Sequence, residues 1–240
     1  MTDDAFVQPP ADGRVFRHPV AAGLGDAAPS GRLRLDAIAR WLQDAALADV
    51  VDSGLDGGGV WVLRRLRLRV ARFPRFGDAL EVATFCSGTG ALVAERRSTV
   101  LASGEPVVEA VALWVHLDPD GLRPRPLPEG FEAVYGAAAA DRRVRARLRH
   151  PVAPPDGAVP AERPWRFRAA DLDLAGHVNN AVYWQVLEED LVPAEPPDVD
   201  AEIEYRAPAG PGEAVVAAAG GMRWITAAGE VLATARVAGD

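Results

Sequence analysis

The chain has 240 residues, 49% of them hydrophobic and 25% charged, which is the balance of a globular protein with ample apolar material for a core, in one large domain or two small ones. A net charge of −8 argues against general nucleic-acid binding, which needs a basic surface to displace counterions, and any acidic partner would have to meet a local patch of arginine, the only cationic residue type present. No uninterrupted apolar run is long enough to span a bilayer, the acidic N-terminus lacks a hydrophobic signal core, and the single cysteine, Cys86, rules out an internal disulfide and fits a cytoplasmic location.

In chain order, a short strand is expected over Gly13–Pro19, followed by a Gly/Ala/Pro loop. Leu35, Ile38, Leu42 and Ala46 then recur at helical spacing, predicting a helix over Leu35–Asp52 that Gly54 ends. From Val60 the period changes to two. Leu66, Leu68 and Val70 alternate with Arg65, Arg67 and Arg69, which describes a strand with one apolar and one cationic face. Further strands are expected over Ala79–Ser87, Ala91–Leu101 and Val107–Leu117, with Cys86 a buried structural thiol in the first of them. The proline-rich passage Asp118–Gly130, the basic run Asp141–Arg149 and the Pro/Ala/Gly-rich Pro151–Pro164 read as connecting chain laid over a surface.

The order then repeats. A short strand at Trp165–Arg168 leads to the loop Asp171–Asn180, a helix from Asn180 to Leu191 stopped by Pro193, and strands at Ala201–Arg206, Ala214–Ala219, Arg223–Thr226 and Val231–Val237. This duplication predicts an α+β fold of two tandem units, each a long helix wrapped by a curved antiparallel sheet, at residues 1–130 and 165–240 with a connector at 131–164. The loop before the first helix holds Asp26 and Gly31 but no histidine, so the polar cluster belongs to the second unit alone.

That cluster, Asp171-Leu-Asp-Leu-Ala-Gly-His-Val-Asn-Asn180, suits acyl chemistry. A carboxylate such as Asp173 can activate water as a general base or attack a carbonyl itself. Backbone N–H groups around Val178, Asn179 and Asn180, at a helix N-terminus, are candidates to hold a developing oxyanion. His177 can orient the base, donate to the carbonyl or assist the leaving group. Taken singly, Asn180 is an ordinary helix N-cap and Asp171 a loop brace. Their joint spacing is what points to a site. Glu188, Glu189 and Asp190 oppose the dipole of their helix and are either a solvated acidic end or, for Glu188 or Glu189, a side chain paired with an arginine or turned toward the site.

The segment Asp171 to Trp184 resembles the signature of acyl-acyl-carrier-protein thioesterases, and Arg72-Phe-Pro-Arg-Phe-Gly-Asp78, Glu81-Val-Ala-Thr, Glu95-Arg-Arg and Trp114-Val resemble the first half of that family. The resemblance spans about Arg14 to Gly212 and implies two tandem hotdog domains that release fatty acids in lipid metabolism, the first holding the acyl tail and the second cleaving. It implies catalytic roles for Asp173 and His177. The family's asparagine two residues before the histidine is Ala175 here, and Pro208 and Ala209 replace its Glu-Cys pair, so its full hydrogen-bond network is not expected. Two other outcomes stay open: a protein that binds acyl thioesters without efficient turnover, and a hotdog hydratase or dehydratase acting on hydroxyacyl thioesters. No cofactor is expected, because His18, His116, His150 and His177 are scattered and no nucleotide or metal motif occurs. Expected partners are an acyl carrier protein or coenzyme A thioester, met through Arg65/Arg67/Arg69 or Arg142–Arg149, and a homodimer is left open. Trp41, Leu42, Ala45, Trp61 and Val62 are read as core first and pocket wall second.

Overall fold

The structure is a computed structural model that describes residues 9–55, 58–121 and 123–238. Among the described residues, ten strands form one antiparallel sheet: β1 (Phe16–Val20), β2 (Val60–Val70), β3 (Leu80–Thr89), β4 (Val93–Ala102), β5 (Glu105–Leu117), β6 (Ala161–Phe167), β7 (Val199–Tyr205), β8 (Gly212–Ala219), β9 (Met222–Ala227) and β10 (Glu230–Val237). The helices are α1 (Leu35–Ser53), α2 (Phe131–Ala139) and α3 (Tyr183–Leu191). Among the described residues no helix is long and apolar enough to cross a membrane.

The strand order is β1-β3-β4-β5-β2-β7-β10-β9-β8-β6. Read outward from the centre, each half has the same order, so the sheet is two copies of one five-strand unit joined at β2 and β7. This is the expected duplicated α+β arrangement. Apolar residues of α1 and α3 belong to one core cluster with both halves of the sheet, including Ile38, Leu42, Leu66, Trp184, Leu187 and Ile203. Trp41, Leu42 and Ala45 are part of that core.

The central seam corrects one expectation. Arg65, Arg67 and Arg69 stand opposite Glu204, Glu202 and Asp200 of β7, so the alternating cations of one strand meet the alternating acids of another. Arg67 makes a two-point contact with Asp200 at 2.7 and 2.8 Å, and the buried Arg65 lies 3.7 Å from Glu202. This face joins the two halves; for Arg65 and Arg67 it is not an open docking surface.

The connector differs as well. Phe131–Ala139 is a helix that buries Phe131 and Tyr135 against β3, and β6 begins at Ala161 rather than Trp165. A nine-residue helix after a proline-rich passage has too few turns to carry a periodic signal in the sequence. Arg142 turns inward onto Glu95, whereas Arg143, Arg145, Arg147 and Arg149 are exposed.

The backbone of the two helix-entry loops is duplicated almost bond for bond. Asp26 and Asp171 each end a short 3-10 turn and each accept their own turn's entering amide, from Gly23 at 2.8 Å and from Arg168 at 2.7 Å. Bridges join Ala27 to Leu33 and Leu172 to Val178. Ala28 N donates to Arg32 O as Asp173 N donates to His177 O, and Arg34 N donates to Asp26 O as Asn179 N donates to Asp171 O. Gly31 and Gly176, with φ of 83° and 75°, make the same left-handed turn, a region that glycine enters without Cβ strain.

Candidate active site

The loop between β6 and α3 folds around Asp171, as the sequence led us to expect of a loop brace. Its carboxylate accepts from Arg168 N and from the Arg168 guanidinium, the latter at 2.8 Å, while its carbonyl accepts from Asn179 N at 2.9 Å. This leaves the Asp173 side chain exposed on the outside of the turn, where Oδ1 accepts from Ala175 N at 2.9 Å and Oδ2 lies 3.5 Å from Asn179 Nδ2.

The helix cap is Asn179, one residue earlier than expected: its Oδ1 accepts from Ala181 N at 2.9 Å. The amides of Val178 and Asn179 are also engaged, donating to Ala209 O at 2.8 Å and Asp171 O at 2.9 Å. These two are therefore not free to hold an oxyanion, a correction to the expectation for Val178 and Asn179. The loop closes on its own carbonyl and on the turn after β7 before the helix begins. Asn180, first residue of the 3-10 turn that leads into α3, has an amide with no partner inside its own helix. Its carbonyl accepts from Tyr205 Oη at 3.0 Å, and Tyr205 in turn accepts from Trp184 Nε1 at 3.0 Å. Burial pushes the Tyr205 hydroxyl well above its ordinary range, which keeps it a neutral donor at this post.

Asp173, Leu174, Ala175 and Asn179 form one rim of a cavity of about 470 Å³, a size suited to a small-molecule ligand. The remaining walls come from the first half: Gln43, Leu47 and Val50 on α1, Trp61 on β2, Cys86 on β3, Glu95 and Arg96 on β4, Trp114 on β5, and Phe131 and Tyr135 on α2. Exposure gives the cavity a direction. Asp44, Leu47, Asp173 and Leu174 are exposed, whereas Cys86, Ala94, Glu95, Arg96 and Tyr135 are buried, so the chamber runs inward along α1 from Asp173 towards β3, β4 and α2. Its middle is aromatic, with Trp61 and Phe131 ring centroids 5.8 Å apart and those of Phe131 and Tyr135 4.8 Å apart. Glu95 and Arg96 make its inner end ionic, and behind the wall Asp49 bridges Arg96 at 2.7 Å and Arg14 at 2.6 Å. Burial pushes the Cys86 thiol up, away from the reactive thiolate, in keeping with a structural role.

His177 is half-buried, does not line the cavity, and its ring makes no hydrogen bond among the described residues. The structure thus brings Asp173 and Asn179 together at the rim and leaves His177 beside them in the loop rather than in the wall. Gln43 was missed by sequence reasoning. Its Oε1 accepts from Asn179 Nδ2 at 3.3 Å across 136 positions of chain, and its Nε2 is buried without a partner, a loss of about 1–3 kcal/mol if nothing binds there. Nothing in the sequence set Gln43 apart from the other polar residues of α1, such as Arg40 and Asp44.

Away from the cavity, His150, Glu202 and Glu204 bring potential ligand atoms within 4.8 Å of one another, a gathering that the scatter of histidines along the chain concealed. Each is already engaged. Glu202 accepts from His150 Nε2 at 3.0 Å and faces Arg65, and Glu204 accepts from the amides of Arg149 and His150 and from Arg206. The cluster fastens the end of the connector to the seam. Glu188 is likewise structural. It is buried and makes a two-point pair with Arg32, at 3.1 and 2.9 Å, and it also accepts from Leu35 N at the start of α1.

Comparison with known proteins agrees with this architecture. The acyl-ACP thioesterase N-terminal domain profile matches residues 13–135, and the C-terminal domain profile matches residues 157–227. An uncharacterized protein of Mycobacterium tuberculosis is 26% identical over 214 residues, covering 88% of this chain and 84% of its own. The oleoyl-acyl carrier protein thioesterase 2 of Arabidopsis thaliana is 25% identical over 171 residues, 62% of this chain; that stretch is only 46% of the plant protein. Among solved structures, the 12:0-ACP thioesterase of Umbellularia californica superposes with a TM-score of 0.74 at 21% identity, over 95% of this chain and 98% of that one, and an acyl-ACP thioesterase of Bacteroides thetaiotaomicron with 0.75 at 19%, over 93% and 96%. These two show a shared double-hotdog fold. With the N-terminal profile alone spanning half of the sequence, the chain belongs to the acyl-ACP thioesterase family.

Proposed function

We propose that this protein hydrolyses acyl thioesters, chiefly acyl groups carried on acyl carrier protein, and releases the free fatty acid. The observation that carries the reading is the position of Asp173, an exposed carboxylate on the rim of a chamber whose aromatic middle belongs to the other half of the molecule. A thioester held at the rim would lay its acyl chain along α1, between Trp61, Phe131 and Val50, while the carrier's arm stays in solvent. Asp173 then has two chemically complete routes. It can take a proton from water as the water attacks the carbonyl carbon, or it can attack that carbon and form an anhydride that water cleaves. In either route the thiol leaves with a proton. The Asn180 amide and the His177 ring are the candidates for stabilising the oxyanion and protonating the leaving sulfur. Family membership supports the same reaction class, and the acidic carrier fits the exposed Arg143, Arg145, Arg147 and Arg149.

The test is thiol release from acyl-carrier-protein thioesters of several chain lengths, with wild-type protein and Asp173→Asn. Release that depends on Asp173 is expected. Its absence at every chain length would leave the protein a binder of acyl thioesters, a reading favoured by the engaged amides of Val178 and Asn179. Enoyl absorbance without free thiol would instead identify a dehydratase.

A further inference from the structure

The two halves of the molecule carry two copies of one constellation, and only one of them is open. Asp26 and Asp171, Gly31 and Gly176, and Leu35 and Asn180 are each separated by 145 positions. The same spacing pairs Gln43 of α1 with Glu188 of α3. Glu188 reaches out of its own half to the first loop, accepting from Leu35 N and from Arg32, which stands where His177 stands in the second loop. Gln43 makes the reciprocal crossing: from the first half it reaches the second loop and accepts from Asn179. In the first copy the crossing carboxylate and Arg32 fill the space between helix and loop with a buried ion pair. In the second an uncharged amide takes that place beside the cavity.

The orientation of the two amides is fixed by their bonds rather than chosen. Asn179 Oδ1 is held by Ala181 N, so Nδ2 must face Gln43 and Asp173. Gln43 must therefore present Oε1 to Asn179, which turns Nε2 the other way, buried and unpartnered in a residue that lines the cavity. Asn179 is thus held from both ends, by Ala181 N in its own half and by Gln43 Oε1 from the other, and its Nδ2 lies 3.5 Å from one oxygen of Asp173.

We propose that Gln43 is a positioning residue of the site, holding Asn179 and through it the Asp173 carboxylate, so that the first half contributes to the reacting end as well as to the acyl chamber. The proposal rests on the hydrolase reading for its kinetic arm only. The variants are Gln43→Met, which keeps length without the acceptor, and Gln43→Glu, which restores an acceptor. In thiol-release assays Gln43→Met is expected to lower kcat by roughly tenfold with KM little changed, as for a small misplacement of a reacting group. Gln43→Glu should recover most of that loss, and neither should change the midpoint of thermal unfolding appreciably. The second arm needs no turnover: the side-chain amide resonances of Asn179, assigned with Asn179→Asp, should move and exchange faster with solvent in Gln43→Met but not in Gln43→Glu. Unchanged Asn179 resonances in Gln43→Met overturn the proposal, as does a kcat loss that Gln43→Glu fails to restore. Loss of Asp173 dependence with the Asn179 resonances still responding to Gln43 would instead overturn the hydrolase reading and leave the positioning contact in place.

Discussion

The first half of this protein has a long helix, an open chamber and a silent entry loop; the second has a short helix and a polar entry loop. The loops share their backbone, down to the bridge, the left-handed glycine and the amide that returns to the aspartate carbonyl. They differ at the side chains that the turn leaves outside: Ala28 against Asp173, Arg32 against His177, Arg34 against Asn179. The comparison separates two roles often read together. Asp26 and Asp171 build the turn in both halves, so an aspartate at that position says nothing about chemistry. A carboxylate at the position of Asp173 does nothing for the turn beyond one bond to Ala175 N, and it is there only in the loop that borders the cavity.

The largest effect expected from breaking this comparison is at Asp173. Asp173→Asn keeps the side chain's size and an acceptor for Ala175 N, yet should lower thiol release by about 10²–10⁴-fold, the usual contribution of a positioned proton acceptor. Adding Ala28→Asp to that variant should restore nothing, because Arg32 and Glu188 occupy the space beside the first loop; recovery of activity would show that the two loops are interchangeable. Next in size is the buried pair itself. Glu188→Ala leaves the Arg32 charge buried and should lower unfolding free energy by about 3–5 kcal/mol in urea titrations, with the activity per folded molecule largely kept. A loss under about 1 kcal/mol would mean that Glu195, 3.5 Å from Arg32, or entering water compensates the charge.

Smaller effects are expected outside the helix-entry loops. If the acidic carrier docks on that face as proposed, Arg145→Glu with Arg147→Glu should raise KM several-fold for carrier-bound substrate and leave it unchanged for coenzyme A analogues. An equal rise for both would place the effect at the cavity. The smallest concerns pH. Burial alone would raise the Glu202 pKa, but its hydrogen bond with His150 and the nearby Arg65 more than offset this and hold it below the ordinary 4.5. A carboxylate whose folded pKa is depressed stabilises the protein above its unfolded pKa and loses that contribution as the pH falls through the folded one. The unfolding free energy of the wild type from denaturant titrations should therefore fall below pH 4.5, and Glu202→Gln should show a shallower decline over that window.

Much of this was legible in the chain. Period-two alternation located the strands of both halves to within a few residues, and α1 was found with its C-terminal glycine. Where the reading went astray, the missing information was the identity of the facing surface. Arg65, Arg67 and Arg69 looked like a solvent face because their complement, Asp200, Glu202 and Glu204, lies more than a hundred residues away; the matching alternation of acids was visible, but not that the two strands are neighbours. For Glu188 the sequence left a solvated end and an arginine partner both open; the structure shows the pair, and that the partner is Arg32 could not be read locally.

By itself the sequence determined much of the local structure: which stretches form strands, where α1 begins and ends, and that a tight polar loop from Asp171 leads into the second half's helix. Periodicity and backbone propensity are properties of neighbouring residues and can be read along the chain. The tertiary structure alone decided which of two equivalent loops faces a chamber, that α2 closes it, and that Gln43 crosses from one half to hold Asn179 in the other. Those outcomes depend on how the halves join at β2 and β7, which sets what each outward-facing side chain meets.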